Sequence, residues 1–246
     1  EFDKDEPQTH GIKIEHWDVE EGQKNIKVRL WDFGGQEIMH ATHQFFLSKR
    51  SLYVLVLDGR RDEKTEYWLK HIESFGGDSP ILVVINKIDE NPLFGIDCPA
   101  LQEKYKGIKG FYRTSCLTKE GIKPFREAII NELAAVDLIH TMWGQSWFNV
   151  KDKLENMDDH FISYEQYKEL CEEEGVDDLT GQNTLVDFLN DLGVILHLKE
   201  FELEGTNVLD PKWATDGVYK IINSEKLGEN EGILRLTDLK DILIPI

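Results

Sequence analysis

The sequence predicts an α/β fold, an open and mostly parallel sheet with flanking helices, followed by a mostly helical α+β domain. Three observations carry that expectation. Two apolar runs of strand length, S-L-Y-V-L-V-L-D at residues 51–58 and I-L-V-V-I-N at residues 81–86, have the composition of parallel strands covered on both faces. Between them, Tyr67, Leu69, Ile72 and Phe75 recur at near-helical spacing until Gly76-Gly77 stops the pattern. The second half of the chain reads instead as helices followed by a short hairpin.

Composition narrows the function classes. The 246 residues have room for two modest domains, and 40% apolar with 30% charged residues is ordinary for a globular chain. The formal net charge of −19 is not ordinary, and it disfavours nucleic acid and anionic lipid as partners, since no basic patch exceeds Lys49-Arg50 or Arg60-Arg61. Cys98, Cys116 and Cys171 are far apart and odd in number, which points to a reducing compartment and a cytoplasmic location. No apolar run approaches the length of a transmembrane segment.

Taken in order, residues 1–8 are polar and read as a loop. Ile12, Ile14 and His16-Trp17 then alternate as a first strand. The stretch at residues 25–37, N-I-K-V-R-L-W-D-F-G-G-Q-E, begins as a half-buried strand through Ile26, Val28 and Leu30. It delivers Asp32 at its carboxyl end, directly before Gly34-Gly35. An open α/β sheet holds a metal and a phosphate at such a place. Asp32 would orient Mg²⁺, Gly35 would let its N–H approach a terminal phosphate without a Cβ in the way, and Gln36 would hold a water in line. The plain alternative is a turn, because Asp and Gly are common turn residues. Thr9, ahead of the first strand, is placed to give its hydroxyl to the same Mg²⁺, or is a loop residue.

A helix is expected over residues 38–48, and His40 and His43 on it are read as packing or hydrogen-bonding within a mobile helix rather than as metal ligands, for want of further ligands. The strand at residues 81–85 runs into Asn86-Lys87-Ile88-Asp89. A carboxylate at Asp89 can accept two hydrogen bonds from the N1–H and amino group of guanine, a donor pair that adenine does not present. Asn86 would tether neighbouring loops and Lys87 would lay its stem along the base. A helix near residues 100–105 leads to a strand at residues 110–114, which ends in Thr114-Ser115-Cys116. Ser115 and Cys116 are placed to offer backbone N–H to the guanine O6. An amphipathic helix at residues 122–136 follows.

Thr9, Asp32-Phe33-Gly34-Gly35-Gln36, Asn86-Lys87-Ile88-Asp89 and Thr114-Ser115-Cys116 in this order resemble the Ras-like P-loop GTPase fold. The phrase W-D-F-G-G-Q-E-I-M-H-A-T-H-Q-F-F resembles the Roc domain of the Roco family, and V-L-D-P-K-W-A-T-D-G-V-Y-K-I-I-N-S is similar to the start of its COR domain. The resemblance implies a Roc domain at residues 1–139 and the N-terminal part of COR at residues 140–246. It implies GTP/GDP and Mg²⁺ as ligands, GTP hydrolysis by the intact protein rather than by this segment alone, and a homodimer formed through COR, with Roc as an optional second contact. It also implies that Arg60, the closer match, or Arg61 supplies positive charge to the transition state, with a solvated surface arginine as the alternative. Phe75 and Tyr219 match aromatic positions of the family's Roc–COR contact.

Within the second half, residues 147–157 read as a helix, and Ser163 with Gln166 forms a capping box opening the next. A third helix spans residues 184–192. Residues 194–198 and 207–209 pair as a hairpin, and Asp210-Pro211 starts a further helix. Helices and hairpin together suggest a winged-helix shape, which the acidity of this half turns away from DNA binding. No G-x-x-x-x-G-K-[ST] occurs in the sequence, and in the family that loop and its strand precede Thr9. Two expectations follow: a segment of a longer Roc–COR chain whose strands at residues 26–31 and 51–57 lack their shared neighbour, or a nucleotide-free scaffold and dimerisation module.

Overall fold

The computed structural model describes residues 9, 11–21, 24–35, 43, 46–60, 64–136, 142–197 and 205–243. The described chain forms two compact units, one built on residues 18–27 and 47–142, the other on residues 8–17, 28–46 and 143–246. Strands β1 (Ile12–Glu21) and β2 (Lys24–Phe33) form a two-stranded sheet.

The first unit holds a parallel sheet in the order β3 (Tyr53–Asp58), β4 (Ile81–Asn86), β5 (Ile108–Arg113). The central strand β4 is buried from Ile81 to Ile85, as its unbroken apolar run requires. The helices α1 (Thr65–Gly76), α2 (Cys98–Lys104) and α3 (Ile122–Ala134) alternate with the strands. Leu69 and Ile72 of α1 and Leu101 of α2 pack with Leu57, Val83 and Ile85 in the core. Asp97 caps α2 by accepting from the Ala100 N–H, with a proline in the first turn.

One expectation fails in β3. Its apolar run predicts cover on both faces, yet Val54 and Val56 are 40% and 55% exposed. The reason is topological: β3 is an edge strand paired to β4 alone among the described residues. Leu30 of β2, expected to be half-buried, is 42% exposed for the same kind of reason, because β1 and β2 form a two-stranded sheet.

The second unit packs α4 (Gln145–Glu155), α5 (Tyr164–Glu173) and α6 (Leu179–Asp191) around Val150, Tyr167, Leu170, Leu185 and Leu189. The capping box at α5 is present, with Ser163 Oγ accepting from the Gln166 N–H and the Gln166 side chain accepting from the Ser163 N–H. The hairpin is present as β7 (Leu196–His197) on β8 (Thr206–Val208), joined by β6 (Phe161–Ser163) in the antiparallel order β6-β8-β7. Asp210 caps α7 (Pro211–Ile222), followed by α8 (Glu225–Glu229) and α9 (Leu236–Leu243). No described helix is long and apolar enough to cross a membrane.

Candidate functional site

In the first unit the expected recognition residues converge at the carboxyl ends of β4 and β5, where parallel sheets place ligands. Asn86 closes β4, and its Oδ1 accepts from Thr114 Oγ1 and the Cys116 N–H, both at 3.3 Å. That is the tether between loops foreseen for it. Lys87 turns the chain with φ +63°, a left-handed backbone uncommon for a residue with a side chain. Its carbonyl accepts from the N–H groups of Glu90 and Asn91, closing a turn that leaves Asp89 exposed. Buried Ile88 pins the turn, with its N–H donating to the Thr114 carbonyl at 3.2 Å.

Ser115 and Cys116 divide their roles differently from the expectation. Ser115 is fully buried, its N–H donates to the Glu120 carbonyl at 3.0 Å, and its Oγ accepts from the Thr118 N–H. Its amide is therefore engaged in shaping the loop. Cys116 is exposed, and its N–H makes the long bond to Asn86.

The sequence reading passed over Asp58, the last residue of β3. Its carboxylate accepts from Lys87 Nζ at 3.1 Å and from Arg60 through Nε at 2.9 Å, Nη2 at 2.6 Å and the backbone N–H at 3.0 Å. The hydrogen bonds from Arg60 hold the Asp58 carboxyl well below the usual carboxylate range, and Lys87 adds to the effect. Arg60 also faces Glu90, Nη1 to Oε2 3.6 Å. The guanidinium expected to serve catalysis is thus bound to carboxylates in this structure, while Arg61 lies outside the described residues. An acid at the carboxyl end of a parallel strand was the signal available for Asp58. Gly59 belongs to the same assembly: its N–H donates to the Asn86 carbonyl at 2.9 Å, and a Cβ there would stand 2.7 Å from that oxygen.

In the second unit, Thr9 Oγ1 donates to Asp32 Oδ2 at 2.6 Å, which brings together the two residues assigned to the metal. The Gly34 N–H donates to the Gly11 carbonyl at 2.9 Å, fixing the chain just after Asp32, and among the described residues no atom crowds the Cβ position of Gly35. Gln36 and His40 lie outside the described residues. His43 is buried, with its ring 5.0 Å from that of Phe33, in line with a packing role. No metal-holding cluster of His, Cys, Asp and Glu occurs among the described residues. Behind Asp32, strand β2 is clamped by Arg29, whose Nη1 donates to the Gly193 carbonyl at 2.6 Å and whose Nη2 pairs with Glu155. Trp31 lies so close that a Cβ on Gly193 would stand 2.8 Å from its ring.

Comparison with known proteins decides the family. A solved structure described as Methanosarcina barkeri Roco2 RocCORdC bound to GDP is 60% identical, with a TM-score of 0.93, and the match covers 100% of this chain and 76% of that one. This chain belongs to the Roco family. Residues 1–89 match the family described as Ras of Complex, Roc, domain of DAPkinase, and residues 144–245 match the C-terminal of Roc, COR-A domain. The chain is similar to a probable serine/threonine-protein kinase, roco5, of Dictyostelium discoideum, 28% identical over 96% of this chain and 9% of that protein. It is similar also to a Roc-COR-CHAT protease of Runella zeae, 29% identical over 80% of this chain and 23% of that protein. The chain thus spans less than a quarter of either relative. The residues matched to Roc carry the N-K-I-D motif and D-F-G-G-Q, and those matched to COR-A supply Glu155 and Gly193, the acceptors of Arg29.

Proposed function

We propose that this chain is the guanine-nucleotide-binding and GTP-hydrolysing module of a Roco protein, acting in the cytoplasm and coupling its nucleotide state to COR-mediated homodimerisation. The observation that carries the reading is the turn at Asn86-Lys87-Ile88-Asp89, which holds an exposed carboxylate at Asp89 while Asn86 ties it to the loop after β5. A carboxylate fixed in this way accepts from both donors of a guanine edge and rejects a purine without them. The GDP in the similar Methanosarcina barkeri structure supports the same ligand here.

Thr9 and Asp32 would hold Mg²⁺ once the hydrogen bond between them opens, since a hydroxyl and a carboxylate oxygen are the hard donors that ion takes. When bound, Mg²⁺ supplies charge neutralisation at phosphate oxygens. Gly35 offers its N–H to the terminal phosphate, and Gln36 orients the attacking water. Arg60 contributes positive charge after leaving Asp58 and Glu90.

The test is single-turnover GTP hydrolysis by the native full-length protein and its Gln36→Leu variant. Hydrolysis that slows about 10-fold or more at unchanged GTP affinity, the signature of a group acting in the transition state, supports the reading. Equal rates in the two proteins contradict it.

A further inference from the structure

We propose that Asp58 is a positioning residue of the guanine site, anchoring Lys87 so that its stem lies along the base. The inference rests on the guanine-nucleotide reading and extends it to a residue outside the recognition motif.

Lys87 carries the problem that Asp58 solves. A lysine stem has four rotatable bonds, and ordering it costs rotamer freedom. Lys87 has 39% of its side chain exposed, so packing alone does not hold it. Its Nζ bonds to Asp58 Oδ2, whose side chain is only 14% exposed. The more buried partner is the fixed point and the lysine is the arm.

Asp58 is itself held from several directions. Arg60 closes both of its oxygens with Nε and Nη2, and the Arg60 N–H adds a third bond to Oδ1. The Gly59 N–H on the Asn86 carbonyl keeps the end of β3 against the end of β4, so the carboxylate cannot drift from the recognition turn. Exposed ion pairs contribute little to stability. The value of this one lies in geometry: one carboxylate spans 29 residues to set a side chain two positions before Asp89.

The experiment is fluorescence titration of a labelled GDP into the native full-length protein and into Asp58→Asn, Lys87→Met, the double variant and Asp58→Glu. We expect Asp58→Asn to weaken binding about tenfold, the scale of a lost charged hydrogen bond. The double variant should bind no worse than Lys87→Met alone, because the two act as one unit. Asp58→Glu should recover most of the loss, and it keeps the carboxylate if Asp58→Asn fails to fold. Equal affinity in Asp58→Asn and parent, effects of Asp58→Asn and Lys87→Met that multiply, or no recovery in Asp58→Glu each overturn the role of Asp58 while leaving the function standing. Absence of GDP binding by the parent overturns the function and this inference together.

Discussion

Arg29, three residues before Asp32 on the same strand, donates to the carbonyl of Gly193 at the end of α6. The strand that delivers a Roc motif is thereby fastened to a turn of COR. Arg29 also pairs with Glu155, and around it Asp158, Asp159 and Asp210 line a cavity of about 290 Å³. Removing the guanidinium leaves the part-buried Gly193 carbonyl without its side-chain donor, while Glu155 keeps its pair with Lys151. Arg29→Ala should therefore lower stability by about 2 kcal/mol. Urea denaturation checks it, and an unchanged midpoint would show that solvent replaces the clamp at no cost.

Gly193 adopts φ +67°, where a side chain is strained, and Trp31 occupies the space a Cβ needs. Gly193→Ala should destabilise by about 1–3 kcal/mol through the backbone and the displaced indole together. Thermal melting with tryptophan fluorescence reads both effects. A melt within a degree of the parent would mean that Trp31 yields freely.

Asp89 is exposed and closes no fold contact that its motif requires, so its substitution should act on ligand choice rather than on folding. Asp89→Asn should weaken GDP binding by about 100-fold or more, while the denaturation midpoint stays at the parental value. Equal GDP affinity would remove guanine recognition from this carboxylate.

The pH dependence of stability follows from Asp58. Its carboxyl is held low in the folded chain by Arg60 and Lys87, so the unfolded state takes up protons first as pH falls. The contribution is complete above the unfolded value of about 3.9 and is lost as pH drops through the folded one. The stability gap between parent and Asp58→Asn should be full at pH 7 and close progressively below pH of about 4. Urea midpoints at pH 7, 4 and 3 measure it, and a gap that widens toward acid would reverse the sign.

Local chemistry was legible in the sequence, and long-range pairing was not. The capping box at Ser163, the Asp210-Pro211 helix start and the turn after β4 are set by residues within a few positions of one another. That Asn86 tethers neighbouring loops was also legible, because those loops follow adjacent parallel strands, while its partners Thr114 and Cys116 were not. The bonds of Asp58 to Lys87 and of Arg29 to Gly193 span 29 and 164 residues, and no periodicity reports them. The exposure of Val54 and Val56 escaped for a related reason: composition gives the character of a strand, while pairing decides whether it is an edge. Strand β6 escaped because three residues are too few for a period of two to register.

The measurement that bears most directly on the central claim is calorimetric titration of GDP and GTPγS, with Mg²⁺, into the native full-length protein and this 246-residue chain in parallel. The account predicts saturable binding of both nucleotides by the full-length protein, abolished or sharply weakened by Asp89→Asn. No heat of binding from either nucleotide would contradict it, and the chain would then stand as a nucleotide-free scaffold and dimerisation module.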